Sequence, residues 1–525
     1  MEQNAETSCI VTCECILRFV FAILITSSMA TAVASPTPTN VLFILTDNQP
    51  ASILGAYGNP DVRTPNIDLL AREGVRFSNA FAVNGMCSST RATLMTGLMP
   101  SQHGVHNWLD DELMDDWPKD WSAIAEFRTL PLTLANRGYQ TAMIGKWHLG
   151  QPWQASVGFQ HWVTFTDGHT VDFWNNTIID NGEVYEVKDK HTVDFFAEKA
   201  VEFLKEHNSD QPFYLQLNLN GPYLNPPSNM GPARNRHYGD YAGKDFSSFP
   251  RVALNANIAE QLVDSTTSRF LIGKHLQSVA MHNDPATMAN VASQNTVVDD
   301  AVGRVLAALE ASGQAKSTLV IYSSDQGNFY GQHGLWQHNV VTVPTNLYEA
   351  AMNIPLIVRH PGAIAPGKVD ARLIGQYDVP ATILDYLGVD VTLQDSPGRS
   401  FSALLRGEQD NWNDEVFYEQ EESRGIRTAE FAFWKRLEST GSNELYDMKR
   451  DPGQHQNLID DPALAATITA LEKRLDNFFS RYAVSEYDLW QGGIAKGSVV
   501  RPNIFRKLYG AQWRAKTELK KPFTE

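Results

Sequence analysis

The chain has 525 residues and a formal net charge of −17, from 43 Lys and Arg against 60 Asp and Glu. A hydrophobic content of 43% excludes a disordered chain, and the length predicts one large α/β domain with a second domain, or two to three domains. The negative charge argues against a nucleic-acid partner and against a basic membrane-surface module, although a local cluster of cations can still bind an anionic substrate.

Residues 1–34 have the pattern of a signal peptide. A short apolar run at 19–25 follows Arg18, and residues 32–34 (Ala-Val-Ala) form a small-x-small cleavage site. The run is too short to span a bilayer, so we predict a protein that is exported, periplasmic or secreted, with no stable membrane anchor. The alternative is a buried N-terminal helix. Cleavage removes three of the four cysteines and leaves Cys87, which is either buried and inert or chemically special.

Apolar runs of strand length alternate along the chain with segments of helical periodicity. This alternation predicts a large, mostly parallel sheet sandwiched by helices, with its reactive crevice at the carboxyl ends of the strands. Asp47 and Asp325 each follow such a run. The predicted strands are 40–46, 139–144, 213–219, 318–323 and 354–358. The predicted helices are 65–74, 130–137, 193–206, 288–312 and 379–387.

We predict an α/β domain over residues 36–410 with an insertion at about 225–285, a smaller C-terminal α+β subdomain over 411–490, and a basic tail over 491–525. The insertion is rich in Asn, Gly, Pro and aromatic residues and is placed to shape a substrate pocket. The tail is expected to be a solvated arm. The subdomain is predicted from short strands and one amphipathic helix, at 415–419, 427–437, 444–446 and 463–479.

The segment from Cys87 to Gly97 predicts a short helix with a reactive start. Ser88 or Ser89 suits the N-cap, and Gly97 suits the C-terminal stop. Cys87 would then lie where free N–H groups favour an anion, and Arg91, one turn later, would face the same side. Taken alone, such a segment more often reflects simple packing and capping.

Three further pairs of residues carry chemistry. Lys146 and His148 are two apart, so an extended chain directs both to one side, where they suit an anion and a proton. Asp47-Asn48 and Asp325-Gln326 each follow a buried strand, and their oxygens suit Ca²⁺ or Mg²⁺. A surface lysine, a hydrogen-bonded histidine and ordinary turn residues are the alternatives.

Together these motifs resemble a type I sulfatase of the alkaline phosphatase superfamily. The resemblance runs from about residue 40 to about residue 458, and the segment that starts at Cys87 is its most specific part. It implies an alkaline-phosphatase-like α/β fold and a sulfuric ester hydrolase. The other matching segments are 138–148, 324–327, 347–349, 398–400 and 444–447.

The resemblance implies that Cys87 is converted to Cα-formylglycine by a formylglycine-generating enzyme. One hydroxyl of the hydrated aldehyde attacks the sulfur, and the other lets the adduct release sulfate. Arg91 would stabilise the hydrate, Lys146 would hold the sulfate and His148 would assist proton transfer. The resemblance also implies a cation, Ca²⁺ with Mg²⁺ as the alternative, whose ligands would be Asp47, Asn48, Cys87, Asp325 and Gln326.

The chain departs from the family pattern at several positions. Ser89 stands where the family usually has Pro or Ala. The two metal pairs are Asp-Asn and Asp-Gln, where the family often has Asp-Asp and Asp-Asn. Tyr223 stands near a usual histidine, and His338 stands near a usual lysine. We hypothesise that His338 donates a proton to the leaving alcohol and that Tyr223 contacts the sulfate; Tyr223 as a packing aromatic is the alternative.

The expected substrate is a sulfated small molecule or glycan, with a sulfated carbohydrate favoured. Export, the aromatic-rich insertion and the many tryptophans suit stacking on sugar rings, although core packing explains most tryptophans equally well. Two other functions stay open from the sequence. One is a phosphodiesterase or phosphonate monoester hydrolase of the same superfamily, and the other is a non-catalytic carbohydrate-binding protein in which Cys87 remains a thiol.

Overall fold

The computed structural model describes residues 39–109, 117–208, 210–223, 234–391, 393–408, 411–438, 440–515 and 520–523. The predicted signal peptide lies outside these residues. None of the helices in the described part of the chain has the length and apolar character needed to cross a membrane.

Strands and helices alternate through most of the chain, as the sequence pattern predicted. The strands are β1 Asn40–Thr46, β2 Val75–Phe81, β3 Gln140–Gly145, β4 His161–Phe165, β5 Asn176–Asp180, β6 Glu183–Val187, β7 Phe213–Asn218, β8 Thr318–Ser324, β9 Phe329–Tyr330, β10 Trp336–Gln337, β11 Asn353–Arg359, β12 Lys368–Gly375, β13 Glu415–Gln420, β14 Ser423–Thr428, β15 Phe431–Arg436 and β16 Glu444–Asp447. The α-helices are α1 Pro65–Glu73, α2 Cys87–Thr96, α3 Pro100–His103, α4 Leu130–Ala135, α5 Thr192–Glu206, α6 Tyr238–Tyr241, α7 Ala256–Val263, α8 Arg269–Met281, α9 Pro285–Ala311, α10 Glu349–Met352, α11 Asp378–Tyr386, α12 Ser402–Leu405, α13 Ala465–Tyr482 and α14 Pro502–Tyr509.

One ten-stranded sheet organises the fold, in the order β12-β2-β11-β8-β1-β7-β3-β4-β5-β6. Its centre is parallel: β1 pairs with β7 and β8, and β3 pairs with β7 and β4. β11 and β5 run against their neighbours. The carboxyl ends of β8, β1, β7 and β3 therefore meet at one edge, and the expected mostly parallel α/β sheet is confirmed.

The central strands are buried on both faces, which explains their continuous apolar runs. Every residue of β1 and β8 is buried, and separate apolar clusters pack on the two sides of the sheet. The long helix α9 packs against α5 on one of these sides. The five predicted strands and five predicted helices all correspond to elements of the structure, with bounds shifted by three residues at most.

The predicted insertion contains α6, α7 and α8 in its described part. α8 packs against the short hairpin strand β10: the Ser278 hydroxyl donates to the Trp336 carbonyl at 2.9 Å, and Gln337 Nε2 donates to Gln277 Oε1 at 2.9 Å. His338 follows this strand directly. The insertion therefore borders the segment that carries one of the predicted site residues.

The C-terminal region forms a four-stranded antiparallel sheet, β13-β14-β15-β16, covered by α13. The single strand predicted at 427–437 is wrong: β14 and β15 are two strands of a hairpin that turns at residues 429–430. The turn residues Ala429 and Glu430 include no Gly, Pro or Asn, so no turn signal marked the end of β14. The domain boundaries themselves stay predictions.

The expected solvated arm after residue 490 is also wrong in part. Helix α14 buries Phe505 completely, and Phe505 packs in one cluster with Leu437, Leu489 and Trp513. The basic composition of this segment predicted a solvent-exposed chain. The segment is instead an amphipathic helix, and its apolar side packs against the rest of the folded protein.

Candidate active site

The candidate site is built where the central strands end. Thr46 of β1 lies opposite Ser324 of β8, so the next residues, Asp47 and Asp325, lie side by side. Lys146 follows β3 at the same edge. All three side chains are buried, and the structure thus brings together the strand-end residues that the sequence singled out.

Cys87 is the first residue of α2 and points at this edge. Its Sγ lies 3.6 Å from Asp47 Oδ1, 3.9 Å from Asn48 Oδ1 and 3.4 Å from Gln326 Nε2. The predicted N-cap was wrong, because Met86 takes that position and provides no side-chain cap. The first-turn N–H groups of α2 therefore keep no side-chain acceptor at the cap, which favours an anion near Cys87.

The other bounds of α2 follow the sequence. Gly97 ends the helix in the left-handed region, at φ 73°, and its N–H donates to the Thr93 carbonyl at 2.7 Å. A side chain at that φ would be strained, so glycine is required there. The Ser88 hydroxyl accepts from the Leu109 N–H at 3.0 Å. This bond connects α2 to Leu109, whose carbonyl contacts His148.

Two cations and two carboxylates interlock beside Cys87. Arg91 Nη2 donates to Asp325 Oδ2 at 2.8 Å and lies 3.4 Å from Asp47 Oδ2. Lys146 Nζ donates to Asp47 Oδ2 at 2.6 Å, and Arg91 Nη1 donates to the Lys146 carbonyl at 3.1 Å. The four charges sum to zero, so any bound cation leaves the site positive and ready for an anion.

The amide partners of the two aspartates close the site. The Asn48 N–H donates to Asp325 Oδ1 at 3.0 Å, and Asn48 has a positive φ of 61°. Gln326 Nε2 donates to Asn48 Oδ1 at 2.5 Å. The Tyr330 hydroxyl donates to the Asn48 carbonyl at 3.0 Å and holds this turn in place.

Burial shifts the ionisation of the central groups. Burial and the Asp47 carboxylate raise the pKa of the Cys87 thiol, so the unmodified side chain is a neutral thiol. Burial alone would lower the pKa of Lys146, but Asp47 outweighs it and the pKa lies above its usual value. Burial and Asp47 together raise the pKa of Asp325 despite Arg91.

His148 lies beside this cluster as a neutral imidazole. Burial, then the charge of Lys146, lowers its pKa well below the usual value. Nε2 lies 3.3 Å from the Leu109 carbonyl, which accepts, so Nε2 carries the hydrogen. Nδ1 is buried and has no hydrogen-bond partner among the described residues, which leaves its lone pair available for a proton.

His338 and Tyr223 also border this cluster. His338 Nδ1 is 3.4 Å from Gln326 Nε2 and 3.5 Å from Asn48 Nδ2, so Nδ1 accepts and Nε2 carries the hydrogen. Burial, then the charge of Lys274, lowers the pKa of His338 to about 3. The Tyr223 ring stacks 6.0 Å from His338 and lies 4.9 Å from Lys146 Nζ.

The residues present fit a hard divalent cation. Oxygens of Asp47 and Asp325 and the Sγ of Cys87 lie within 4.8 Å of one another. Gln326 Oε1 is buried and has no hydrogen-bond partner in the described part of the chain. A buried acceptor without a donor costs free energy unless a cation or water meets it, and this donor set is oxygen-rich.

Sequence reasoning missed some residues of this site. Gln376 Nε2 donates to the Asp325 carbonyl at 2.6 Å and fixes the second aspartate turn. Lys274 of α8 interacts electrostatically with Cys87 and His338. Neither residue stands in a motif: a glutamine after a strand and a lysine on an insertion helix look like ordinary polar residues. Only hydrophobic spacing on α8 could have indicated which face of that helix is turned inward.

A ten-stranded α/β sheet with a lone cysteine, two cations and two carboxylates at its carboxyl edge defines an enzyme site that receives an anion. The sulfatase family model matches residues 39–389, and the model of the N-sulphoglucosamine sulphohydrolase C-terminal region matches residues 331–481. The chain belongs to the sulfatase family of the alkaline phosphatase superfamily and is a sulfuric ester hydrolase.

Relatives of known activity match over nearly their whole length. The chain is 27% identical to the N-acetylglucosamine-6-O-sulfatase of Bacteroides thetaiotaomicron, over 87% of this chain and 89% of that protein. It is 26% identical to the ulvan-active sulfatase of Formosa agariphila, over 89% and 90%. The structure of BT4656 in complex with its substrate D-glucosamine-2-N,6-O-disulfate matches with a TM-score of 0.68 and 25% identity, over 85% of this chain and 98% of that one.

Proposed function

We propose that this sulfatase hydrolyses sulfate esters of a sulfated carbohydrate, with a Cα-formylglycine made from Cys87 as its nucleophile. The observation that carries the proposal is the position of Cys87 at the start of α2. Its Sγ lies 3.6 Å from Asp47 Oδ1, beside two cations and two carboxylates. A buried neutral thiol is a poor nucleophile, so conversion of this side chain explains why the machinery converges on it.

A divalent cation, with Ca²⁺ favoured over Mg²⁺, would be held by Asp47, Asn48, residue 87, Asp325 and Gln326. It would polarise the ester oxygens and activate the residue at position 87. The amide oxygens of Asn48 and Gln326 are neutral ligands of a kind that Ca²⁺ commonly accepts. Ca²⁺ also tolerates a larger and more flexible coordination shell than Mg²⁺ does.

Arg91 and Lys146 supply fixed positive charge next to position 87. Both are fully buried, and their charges are placed before substrate arrives, so no reorganisation is needed when negative charge develops on the sulfate. His148 offers the free lone pair of Nδ1 for a proton of the nucleophile. His338 directs an Nε2–H that we assign to the leaving oxygen, as a hydrogen-bond donor in the neutral form, and Tyr223 would pack against the bound sulfate.

The carbohydrate class rests on the relatives. Two relatives are named as an N-acetylglucosamine-6-O-sulfatase and an ulvan-active sulfatase. A third similar protein is described in complex with its substrate, a disulfated glucosamine. A formylglycine-generating enzyme would act on residue 87 during maturation, before or during the predicted export to the periplasm or medium.

Mass spectrometry and a substrate panel test the proposal together. The protein is produced with a formylglycine-generating enzyme, and the tryptic peptide 77–91 is weighed; conversion makes it lighter than the thiol form. Rates are then measured on sulfated monosaccharides, an aryl sulfate and an aryl phosphate, with Cys87→Ala as control. We expect conversion and preference for a sulfated sugar. A faster aryl phosphate reaction would favour a phosphodiesterase, and activity with an intact thiol would overturn the proposal.

A further inference from the structure

Helix α8 of the insertion is anchored directly over the nucleophile segment. Leu271 belongs to one hydrophobic cluster with Met86, which precedes Cys87, and Val340, which follows His338. Ser278 binds the Trp336 carbonyl from the same helix. Residues three and seven positions apart share a helix face, so the face that carries Leu271 and Ser278 is turned toward the site.

Lys274 lies on this face, three residues after Leu271. Its ammonium group is partly buried and 5.6 Å from the centroid of the Phe270 ring. Within the described ranges it has no hydrogen bond and no ion pair. Its electrostatic interactions reach Cys87 and His338, the first and the last of the predicted catalytic residues.

A cation in such surroundings is costly to keep. Burial lowers the pKa of Lys274, and a negative charge at Cys87 would raise it. Arg91 and Lys146 each face a carboxylate, whereas Lys274 faces none among the described residues. Desolvation without a counter-ion destabilises the folded protein, and an anion that meets the ammonium group removes this cost.

The neighbouring aromatic residues point to the side from which that anion enters. Phe270 stacks on Trp108 with ring centroids 4.5 Å apart, and Phe270 remains 40% exposed. Trp108 precedes Leu109, whose carbonyl binds His148. A stacked aromatic pair, with Phe270 exposed, Trp108 half-buried and a cation next to it, is suited to a ring that carries an anionic group.

We propose that Lys274 binds the sulfate group that is transferred, as a third cation supplied by the insertion rather than by the sheet edge. This proposal rests on the proposed function. Leu271 and Ser278 anchor α8 beside Met86 and Trp336, so the face that carries Lys274 is turned toward the segments of residue 87 and His338, where the sulfate under attack would lie. Lys274 thereby couples substrate binding to the insertion helix, and Trp108 and Phe270 receive the ring that bears the ester.

The test compares Lys274→Met with Lys244→Met. Lys244 also lies in the insertion with its ammonium group 4.9 Å from an aromatic ring, that of Tyr241, but it is exposed. Conversion of Cys87 is quantified in each variant. We expect Lys274→Met to lower kcat/KM on a mono-sulfated sugar, and on an aryl sulfate with no charge besides its sulfate, by roughly 10- to 100-fold, the effect of one charge-assisted hydrogen bond.

Binding of inorganic sulfate gives a second readout. Its inhibition constant should rise by roughly tenfold or more in Lys274→Met, stay at the wild-type value in Lys244→Met and be partly restored in Lys274→Arg. Lys274→Met should melt at or above the wild-type temperature, because it removes a desolvated charge. A variant that melts lower with unchanged sulfate binding would show a structural role and overturn the proposal.

Two further outcomes separate this proposal from the one it rests on. If Lys274→Met loses activity only on sugars that carry a second anionic group, Lys274 serves a different subsite and the inference is wrong. If wild-type protein with converted Cys87 hydrolyses sulfates and Lys274→Met matches Lys244→Met, the inference alone fails. If converted wild-type protein hydrolyses no sulfate ester, the proposed function fails.

Discussion

Two clusters in this protein each bury an arginine between two carboxylates but differ in how completely their polar atoms are paired. Under the C-terminal sheet, Arg424 Nη2 donates to Asp488 Oδ1 at 2.6 Å and Nε donates to Glu419 Oε2 at 3.2 Å. The remaining carboxylate oxygens accept from the Ser101 N–H at 2.5 Å and from Gln491 Nε2 at 2.9 Å. Each of the four carboxylate oxygens of Glu419 and Asp488 therefore accepts a hydrogen bond.

The cluster at the sheet edge is incomplete by comparison. Gln326 Oε1 and His148 Nδ1 are buried without hydrogen-bond partners in the described chain, and Cys87 Sγ makes only long contacts of 3.4 to 3.9 Å. Saturated buried charges stabilise one structure, whereas unsaturated ones are completed by a ligand. The difference assigns Arg424 to folding and the edge cluster to binding and chemistry.

The largest expected effect comes from removing the nucleophile. Cys87→Ala should lower kcat on any sulfate ester by at least about 10⁴-fold, because no other group can take its place in the adduct. Thermal stability should stay near that of wild type, since the thiol makes no strong contact. The measurement is a steady-state rate with parallel melting curves; residual activity above a hundredth of wild type would refute the assignment.

The next effect concerns the cation. Asp325→Asn removes a ligand and the 2.8 Å partner of Arg91, and should lower kcat by about 10²- to 10³-fold together with the bound divalent metal. Elemental analysis of the purified protein checks the metal content. A chelator should abolish the activity of the wild-type protein, and added Ca²⁺ should restore that activity better than Mg²⁺ does. Full activity after exhaustive chelation would contradict a metal site.

Arg424→Met tests the saturated cluster. It leaves two buried carboxylates without their cation and should lower the free energy of unfolding by about 3–5 kcal/mol. At a temperature where the variant is folded, kcat/KM should stay within about twofold of wild type, since distant sites act independently. Denaturant unfolding and kinetics on the same preparation measure both; a fall in kcat with unchanged stability would reverse the assignment of the two clusters.

The smallest expected effect is a pH dependence of stability caused by Asp299. In the part of the chain that the structure describes, this buried carboxylate has no cation as partner and so differs from the carboxylates of both clusters. Asp299 accepts hydrogen bonds from the Asn66 and Ile67 N–H groups at the start of α1, at 3.0 and 2.8 Å. Burial raises its pKa to about 6. The folded state therefore holds this proton more tightly than the unfolded state.

The stability that Asp299 contributes should be complete below about pH 4 and be lost as the pH rises to about 6, by an amount of the order of 3 kcal/mol. Melting curves of wild type and Asp299→Asn between these pH values, in the presence of chelator, measure the difference. Asn keeps the shape of the side chain and abolishes the titration. A wild-type curve that runs parallel to that of the variant would contradict the raised pKa.

Much of the site was predictable because parallel strands align their carboxyl ends. Asp47, Lys146 and Asp325 each follow a buried apolar run directly, and the central strands of a parallel sheet must deliver such residues to one edge. The convergence of Cys87 and Arg91 on that edge also follows from the one-turn spacing on a short helix. The chemical roles of these residues stay predictions.

Other parts could not be predicted, because they depend on what packs against what. The turn at residues 429–430 contains no Gly, Pro or Asn, so the strand predicted at 427–437 ran through it, and residues 423–426 of β14 were missed. Met86 took the N-cap that serine chemistry favoured, and the Ser88 hydroxyl instead accepts from Leu109. The partner of α14 lies around Leu437, which is distant in the sequence.

The sequence by itself determined the mostly parallel sheet, the residues at its reactive edge and the sulfatase family, because local apolar runs and motif spacing encode these features. Only the tertiary structure decided that the carboxylates paired with Arg424 are saturated while Gln326 Oε1 and His148 Nδ1 are not, and that the insertion helix α8 packs beside Met86 and Trp336. The physical reason is that hydrogen-bond completion and desolvation depend on neighbours contributed by distant segments, which no local pattern specifies.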